Sequence, residues 1–510
     1  YHGNSKEDIQ DLLNDLQSMS KIPLLVAANC DSGGNGACSE GTYIASGAQA
    51  EAAGDLQVSY HAGLVSAREE KALGVNVNFD PCVDILYNWR NTIVNTRAYG
   101  TDAETVIKYT NAYLDGLTAE NGENMEDGVI QCIKHFPGDG TEERDQHLVL
   151  GVNELSPEEW RASFGKVYQN HIDRGVEMIM AGHIAVPALQ KELNSALEDK
   201  DIMPATLAEE LIQDALKTEL GFNGLVITDA THMLGMTSAM RREDYVPKSI
   251  AAGCDMFLFF NNIAEDFGFM LKGYQNGVIT EERLTDALRR ILGLKAKLHL
   301  PEKQANGTLL RTREDLNVIG CEEHLQWRAE AADKGISLIK DTQNNLPINP
   351  VDHKRIRLYM LEGEKGGITD NGSKAQQLFV DELTKRGYEV TVNERGSRVK
   401  GATLKYRDEV DFALEVADIA GYGAQNNYRI QWSTAMANEV PWFVWEVPHA
   451  FVSLNFTTHL HDATMVKTFV NAYHNNEETI KQVIDKLEGK SEFKGGHNDL
   501  VWTDKWQAKL

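Results

Sequence analysis

Six short, apolar, β-branched runs recur through the first part of the chain, at residues 24–29, 75–79, 129–135, 178–183, 225–229 and 256–260. Between them lie longer amphipathic segments, among them 102–117, 157–172, 205–220 and 281–298. Buried strands of this kind, separated by helices, are parallel, because a parallel pair needs a long crossover while a hairpin does not. The alternation therefore limits this half to an open doubly wound sheet or a barrel.

The strand ends separate the two. Asn29 and Asp31, Asp80, His135, His183, Asp229, and Asn261 with Asn262 stand at the ends of almost every run. In a barrel all of them meet on one rim, whereas in an open sheet only those near a switch point do. The distribution favours a TIM-type (β/α)8 barrel over residues 1–300. Eight strands need two more than the six visible, and the chain opens on a helix-like segment, 6–18, so the missing strands are expected upstream of Tyr1. Residues 301–334 carry few strand signals and are expected to form a connector. A second, smaller α/β layered domain is expected over 335–510. Its candidate strands are 336–339, 355–360, 389–392 and 441–445, and its candidate helices are 372–386, 461–471 and 477–487.

Composition narrows the partners. The 510 residues carry 50 Lys and Arg against 76 Asp and Glu, a net charge of -26. Such a field repels phosphate backbones and anionic lipid, so neither nucleic acid nor a membrane is expected as a partner. No run of about 18 apolar residues is present to span a bilayer. The six cysteines are scattered without a CxxC pair, and several sit in strand-like runs, which predicts buried free thiols. The expected compartment is the cytoplasm, with the periplasm or secretion open if a leader was cut away before Tyr1.

The chemistry concentrates in one Gly/Pro-rich loop after the 129–135 run. It reads Lys134-His135-Phe136-Pro137-Gly138-Asp139-Gly140, followed by Asp145-Gln146-His147. A lysine buried at a strand end costs several kcal/mol unless paired, so Lys134 and His135 point to a polar ligand. Asp145 and His147 form either a dyad, in which the carboxylate orients the imidazole, or a solvated charged loop. Asp229 closes the Leu225-Val226-Ile227-Thr228 run. It is either a helix cap or a nucleophile at a barrel rim. Asn29-Cys30-Asp31-Ser32-Gly33-Gly34 is Gly-rich, but no GxGxxG or Walker pattern is present, so a dinucleotide site is not expected. His459 and His461 lack partners at metal-ligand spacing. No G-x-S-x-G elbow is present, which argues against a serine hydrolase. No metal and no organic cofactor is implied.

Together these motifs resemble glycoside hydrolase family 3, and within it the β-N-acetylglucosaminidase branch. The likeness rests on Gly74-Val75-Asn76-Val77-Asn78-Phe79-Asp80-Pro81, Asn95-Thr96-Arg97-Ala98-Tyr99-Gly100, the Lys134 to Gly140 loop, Asp145-Gln146-His147, and Ile227-Thr228-Asp229 with Met233. It is strong over 20–300, and the remainder looks like the family's αβα sandwich domain. The resemblance implies retention through a covalent glycosyl-enzyme. Asp229 matches the nucleophile, His147 the acid/base and Asp145 its dyad partner. Lys134, His135 and Arg97 match sugar-binding positions, joined by Asn29, Asp31 and His183 at neighbouring strand ends. Two positions depart from the pattern. Gln146 stands where a small hydroxyl residue is usual, and Asn29-Cys30-Asp31 replaces an Asp-Gln-Glu, leaving Asn29 and Asp31 as alternatives for the sugar hydroxyls. The implied activity is release of a terminal β-linked N-acetylglucosamine. A phosphorylase with phosphate as a partner, a β-glucosidase, and an inactive sugar-binding protein are the alternatives. Retention of Asp229 and the dyad argues against the last. The assembly, a homodimer included, is left open.

Overall fold

The computed structural model describes residues 4–363, 373–420 and 428–510. The chain divides into two compact units, Tyr1–Gly47 with Leu56–Leu325, and Ala48–Asp55 with Gln326–Leu510. The seam lies inside the helix Glu322–Gly335, at neither 300 nor 335. The stretch expected as a connector holds the helix Leu300–Ala305, a 3-10 turn Asp315–Val318 and most of that longer helix. Lack of strand signal there meant helix.

In the first unit the strands are β1 (Ala27–Ala28), β2 (Val77–Asn78), β3 (Ile130–Phe136), β4 (Gly151–Val152), β5 (Met178–Ala181), β6 (Ile184–Ala185) and β7 (Leu225–Thr228). The main sheet has the order β1-β2-β3-β5-β7, parallel throughout, while β4 and β6 form a separate short parallel pair. Strand order follows chain order with no reversal. A doubly wound sheet reverses at its switch point, so the unit is of TIM type, and every strand presents its carboxyl end to one edge.

Two runs pair less than expected. Of 24–29 only Ala27–Ala28 joins the ladder, because Asn76 Oδ1 accepts the Val26 N–H at 2.8 Å and Gln17 brackets Leu24. The 256–260 run makes a single bridge, Met256 to Ile227, since the Leu258 N–H turns to the Thr228 hydroxyl at 3.0 Å. The expected helices form at Lys6–Met19, Ala103–Thr118 and Glu281–Lys297, capped by Ser5, Asp102 and Thr280. The segment 157–172 is helical with a π-helical stretch, Arg161–Gly165, in its middle, and 205–220 is largely π-helical, Glu210–Glu219. The interior face of the sheet packs Ile130, Cys132, Met178, Met180, Leu225 and Ile227 against Leu294 and Leu298.

The second unit contains β8 (Ser337–Asp341), β9 (Arg355–Glu362), β10 (Glu389–Val392), β11 (Phe412–Asp418), β12 (His449–Ser453) and β13 (Thr468–Asn471). Their order is β10-β9-β11-β12-β13-β8, with only β8 antiparallel. Ile356, Leu358, Phe412, Leu414 and Val452 pack on one face under the helices Ala375–Lys385 and Glu477–Leu487. Leu361, Ala417, Phe451 and Phe469 pack on the other, under the 3-10 turns His459–His461 and Asp499–Trp502. Two expectations fail. Residues 441–445 are turn rather than strand, with Trp445 exposed, and the strand follows at His449. Residues 461–471 are not helical, because Phe469-Val470-Asn471 pair with β12. Gly372, the first residue of the expected 372–386 helix, lies outside the described residues.

Phe412 is fully buried at the centre of this core. Phe412→Ala should destabilise the second unit by about 3–5 kcal/mol, read as a fall in the denaturant midpoint. A loss below about 1 kcal/mol would mean that the site collapses around the cavity.

Candidate active site

Parallel strands deliver their terminal side chains to one edge. Asn29 and Asp31 follow β1, Asp80 follows β2, Lys134 and His135 end β3, His183 follows β5 and Asp229 follows β7. A regular strand would send Lys134 and His135 to opposite faces. The β3 register against β5 shifts between Ile133 and Phe136, so the regular alternation breaks where this pair stands.

Lys134 is 2% exposed, and its ammonium is held by three strand-end groups. Asp80 Oδ1 lies at 2.7 Å, Asn29 Oδ1 at 2.9 Å and Asp31 Oδ1 at 3.4 Å. Asp31 also accepts from Arg97 Nε at 2.7 Å. Burial pushes the Asp31 carboxyl up, but Arg97 and Lys134 outweigh it and hold it well below the usual carboxylate range. Asp80 further accepts the Cys30 N–H at 2.5 Å, which fixes the turn after β1.

His135 pairs through Nδ1 with Asp84 Oδ2 at 2.8 Å. Asp84 also accepts the Asp139 N–H at 2.7 Å. Cys82 Sγ lies 3.1 Å from Asp84 Oδ2, so Cys82, Asp84 and His135 bring three metal-ligating atoms within 4.8 Å of one another. Asp84 Oδ2 bonds both of the others directly, and burial with the Asp84 charge keeps the thiol protonated. The trio is a hydrogen-bonded support for the imidazole. The Asp139 loop is pinned at Gly140, where φ is +108° and a Cβ would stand 2.0 Å from the Ile85 carbonyl oxygen.

Asp145 and His147 form the contact expected of a dyad. Asp145 Oδ1 accepts from His147 Nδ1 at 2.6 Å and from the His147 N–H at 2.8 Å. The carboxylate side chain is 1% exposed and the imidazole 36%, so the anchor is buried and the ring tip is open. Asp229 is half-buried. Its Oδ1 accepts the Ala230 N–H at 2.7 Å, and the next helix begins only at Leu234 behind Met233, so Asp229 does not cap it. Burial raises the Asp229 carboxyl, yet His135, His183, the Ala230 N–H and His147 together bring it below its ordinary value.

His183 stands between β5 and β6. It is fully buried, and burial lowers its proton affinity, with the Asp229 charge opposing. Its Nε2 donates to the Ala230 carbonyl at 2.9 Å, and its Nδ1 pairs with the Thr206 hydroxyl at 2.9 Å. Both ring nitrogens have partners inside the protein, beside Asp229. Sequence reasoning assigned no role to Asp80, Asp84, Asp139 or Thr206. Asp80 was visible as a strand-end carboxylate and Asp139 stood inside the motif, but nothing local marks Asp84.

Burial, with Asp84 close by, pushes the Asp139 carboxyl up to about 8. In the unfolded chain the group titrates near roughly 4. The folded state therefore holds a proton that the unfolded state releases, and this contribution to stability is lost as the pH rises through about 8. Asp139→Asn keeps an acceptor for Asn91 and Gly140. The fall in melting temperature between about pH 5 and pH 8 should be smaller in this variant than in the unaltered chain. Identical pH profiles would contradict the assignment.

Comparison with known proteins agrees with this architecture. Residues 4–294 match the model of the glycosyl hydrolase family 3 N terminal domain. A protein of Cellulomonas fimi named beta-N-acetylglucosaminidase/beta-glucosidase is 39% identical over 500 residues, covering 97% of this chain and 86% of that protein. The solved structure of a beta-glucoside phosphorylase, BglX, superposes with a TM-score of 0.92 at 38% identity, over 99% of this chain and 89% of that one. A family 3 beta-N-acetylglucosaminidase from Paenibacillus sp. str. FPU-7 shares the fold at 20% identity, with a TM-score of 0.73 over 96% of this chain and 90% of its own. A family match over more than half of the chain, with a relative of this identity along nearly its whole length, places this enzyme in glycosyl hydrolase family 3.

Proposed function

We propose that the chain cleaves a terminal β-linked N-acetylglucosamine, or the matching glucoside, with retention and through a covalent glycosyl-aspartate. The observation that carries this reading is the Asp145–His147 pair, a buried carboxylate holding one imidazole nitrogen and leaving the other open. In the first step an Asp229 oxygen attacks the anomeric carbon. The bond to the leaving oxygen breaks, and that oxygen takes the proton from His147 Nε2. In the second step an acceptor oxygen attacks the same carbon and the Asp229 ester breaks. Neutral His147 takes the proton when the acceptor is water. General acid and base help of this kind is worth roughly 10²–10⁴ in rate. Asp31, Arg97, Lys134, His135 and Asn29 supply the charges and dipoles that hold the sugar hydroxyls, and His183 fixes the backbone at Ala230.

A specific observation favours phosphate over water as the acceptor. Most retaining glycosidases use a carboxylate as base, and a carboxylate repels an incoming phosphate. An imidazole is neutral once it has given up its proton and does not. The similarity to a beta-glucoside phosphorylase along almost the whole chain supports the same reading.

Turnover of an aryl β-N-acetylglucosaminide and of the matching β-glucoside, with and without phosphate, tests both parts. A sugar 1-phosphate that replaces the free sugar when phosphate is added is the expected product. Free sugar unaffected by phosphate would return the acceptor to water. Asp229→Ala should reduce turnover of either substrate to background, and activity that survives it would overturn the nucleophile assignment.

A further inference from the structure

Gln146 separates Asp145 from His147 and is 2% exposed. Its Oε1 accepts the His183 N–H at 2.7 Å. Its own carbonyl accepts the Gly235 N–H, and the His147 carbonyl accepts the Leu234 N–H, each at 3.0 Å. A Cβ at Gly235 would lie 2.8 Å from His183 Cβ and 2.9 Å from the Gln146 carbonyl oxygen. The dyad loop, the end of β5 and the first turn after Asp229 therefore meet at one point. From there the His183 ring bonds Ala230, whose N–H bonds Asp229.

We propose that Gln146 is a positioning residue, which sets the place of the His147 imidazole relative to Asp229 by tying the dyad loop to His183. The inference rests on His147 serving as the acid/base. A shorter side chain at this position cannot span to the His183 amide, and the dyad loop is then held to β5 by less than it is here. His147 stays paired with Asp145 but loses its register against the leaving oxygen.

The consequence is selective. A misplaced acid slows departure of a poor leaving group, which needs the proton, and scarcely affects an activated one, which does not. The test compares kcat/KM for an alkyl and a dinitrophenyl β-N-acetylglucosaminide, or the glucosides if those are the better substrates. Gln146→Met removes the acceptor at similar volume. It should lower kcat/KM on the alkyl substrate by about tenfold to a hundredfold, part of what a general acid supplies, with a much smaller loss on the dinitrophenyl substrate. Gln146→Glu keeps an oxygen for the His183 N–H and should restore most of the alkyl activity. Gln146→Ser leaves room in the loop and should behave as Gln146→Met does if the latter fails to fold. Equal losses on both substrates, no loss, or no recovery in Gln146→Glu would overturn the proposal. His147→Ala on the same two substrates keeps the two readings apart. If it shows no dependence on the leaving group, the acid/base assignment has failed. If it shows that dependence and the Gln146 variants do not, only the positioning role has failed.

Discussion

The ammonium of Lys134 is the contact on which the site depends. A cation at 2% exposure is tolerable only when paired, because desolvating it alone costs several kcal/mol. Here Asp80, Asn29 and Asp31 surround it, Asn29 and Asp31 just past β1 and Asp80 just past β2. Satisfying one buried charge thus brings together the carboxyl ends of β1, β2 and β3. Arg97 extends the arrangement by neutralising Asp31 from another segment. Removing one partner would leave a buried charge uncompensated, which is why such clusters destabilise strongly when broken.

Beyond Lys134, each imidazole of the site has its orientation assigned by an oxygen partner. His135 leans on Asp84, His147 on Asp145, and His183 on Thr206 and Ala230. The differences lie in exposure. His183 is sealed, His135 is nearly sealed, and His147 is open at its tip. Three histidines of similar chemistry thus differ chiefly in depth. In the proposed mechanism proton transfer falls to the one that solvent can reach.

Much of this was legible in the sequence, for identifiable reasons. The β-branched runs at 129–135, 178–183 and 225–229 became strands because both faces are buried in a parallel sheet, and their polar end residues marked the rim. What escaped reading was set by tertiary packing. The helix Leu56–Leu73 carries no amphipathic stripe, since buried residues lie on most of its surface. The 256–260 run looks like a strand, but a threonine side chain takes the amide that would have continued the ladder. The Asp84–His135 pair spans 51 positions, so only the topology joins them. The place of His183 at a strand end is visible in the sequence, but its burial has no signature there. In the second unit β11 was hidden because Glu415 and Asp418 interrupt its apolar pattern although both are buried.

The proposed mechanism turns on which atom becomes bonded to the sugar. Incubation with a fluorinated glycoside that stalls the second step, followed by proteolysis and mass analysis of the labelled peptide, reads that atom's residue directly. The adduct is predicted on Asp229. An adduct on Asp31, Asp145 or any other residue would contradict the mechanism and the roles built around it.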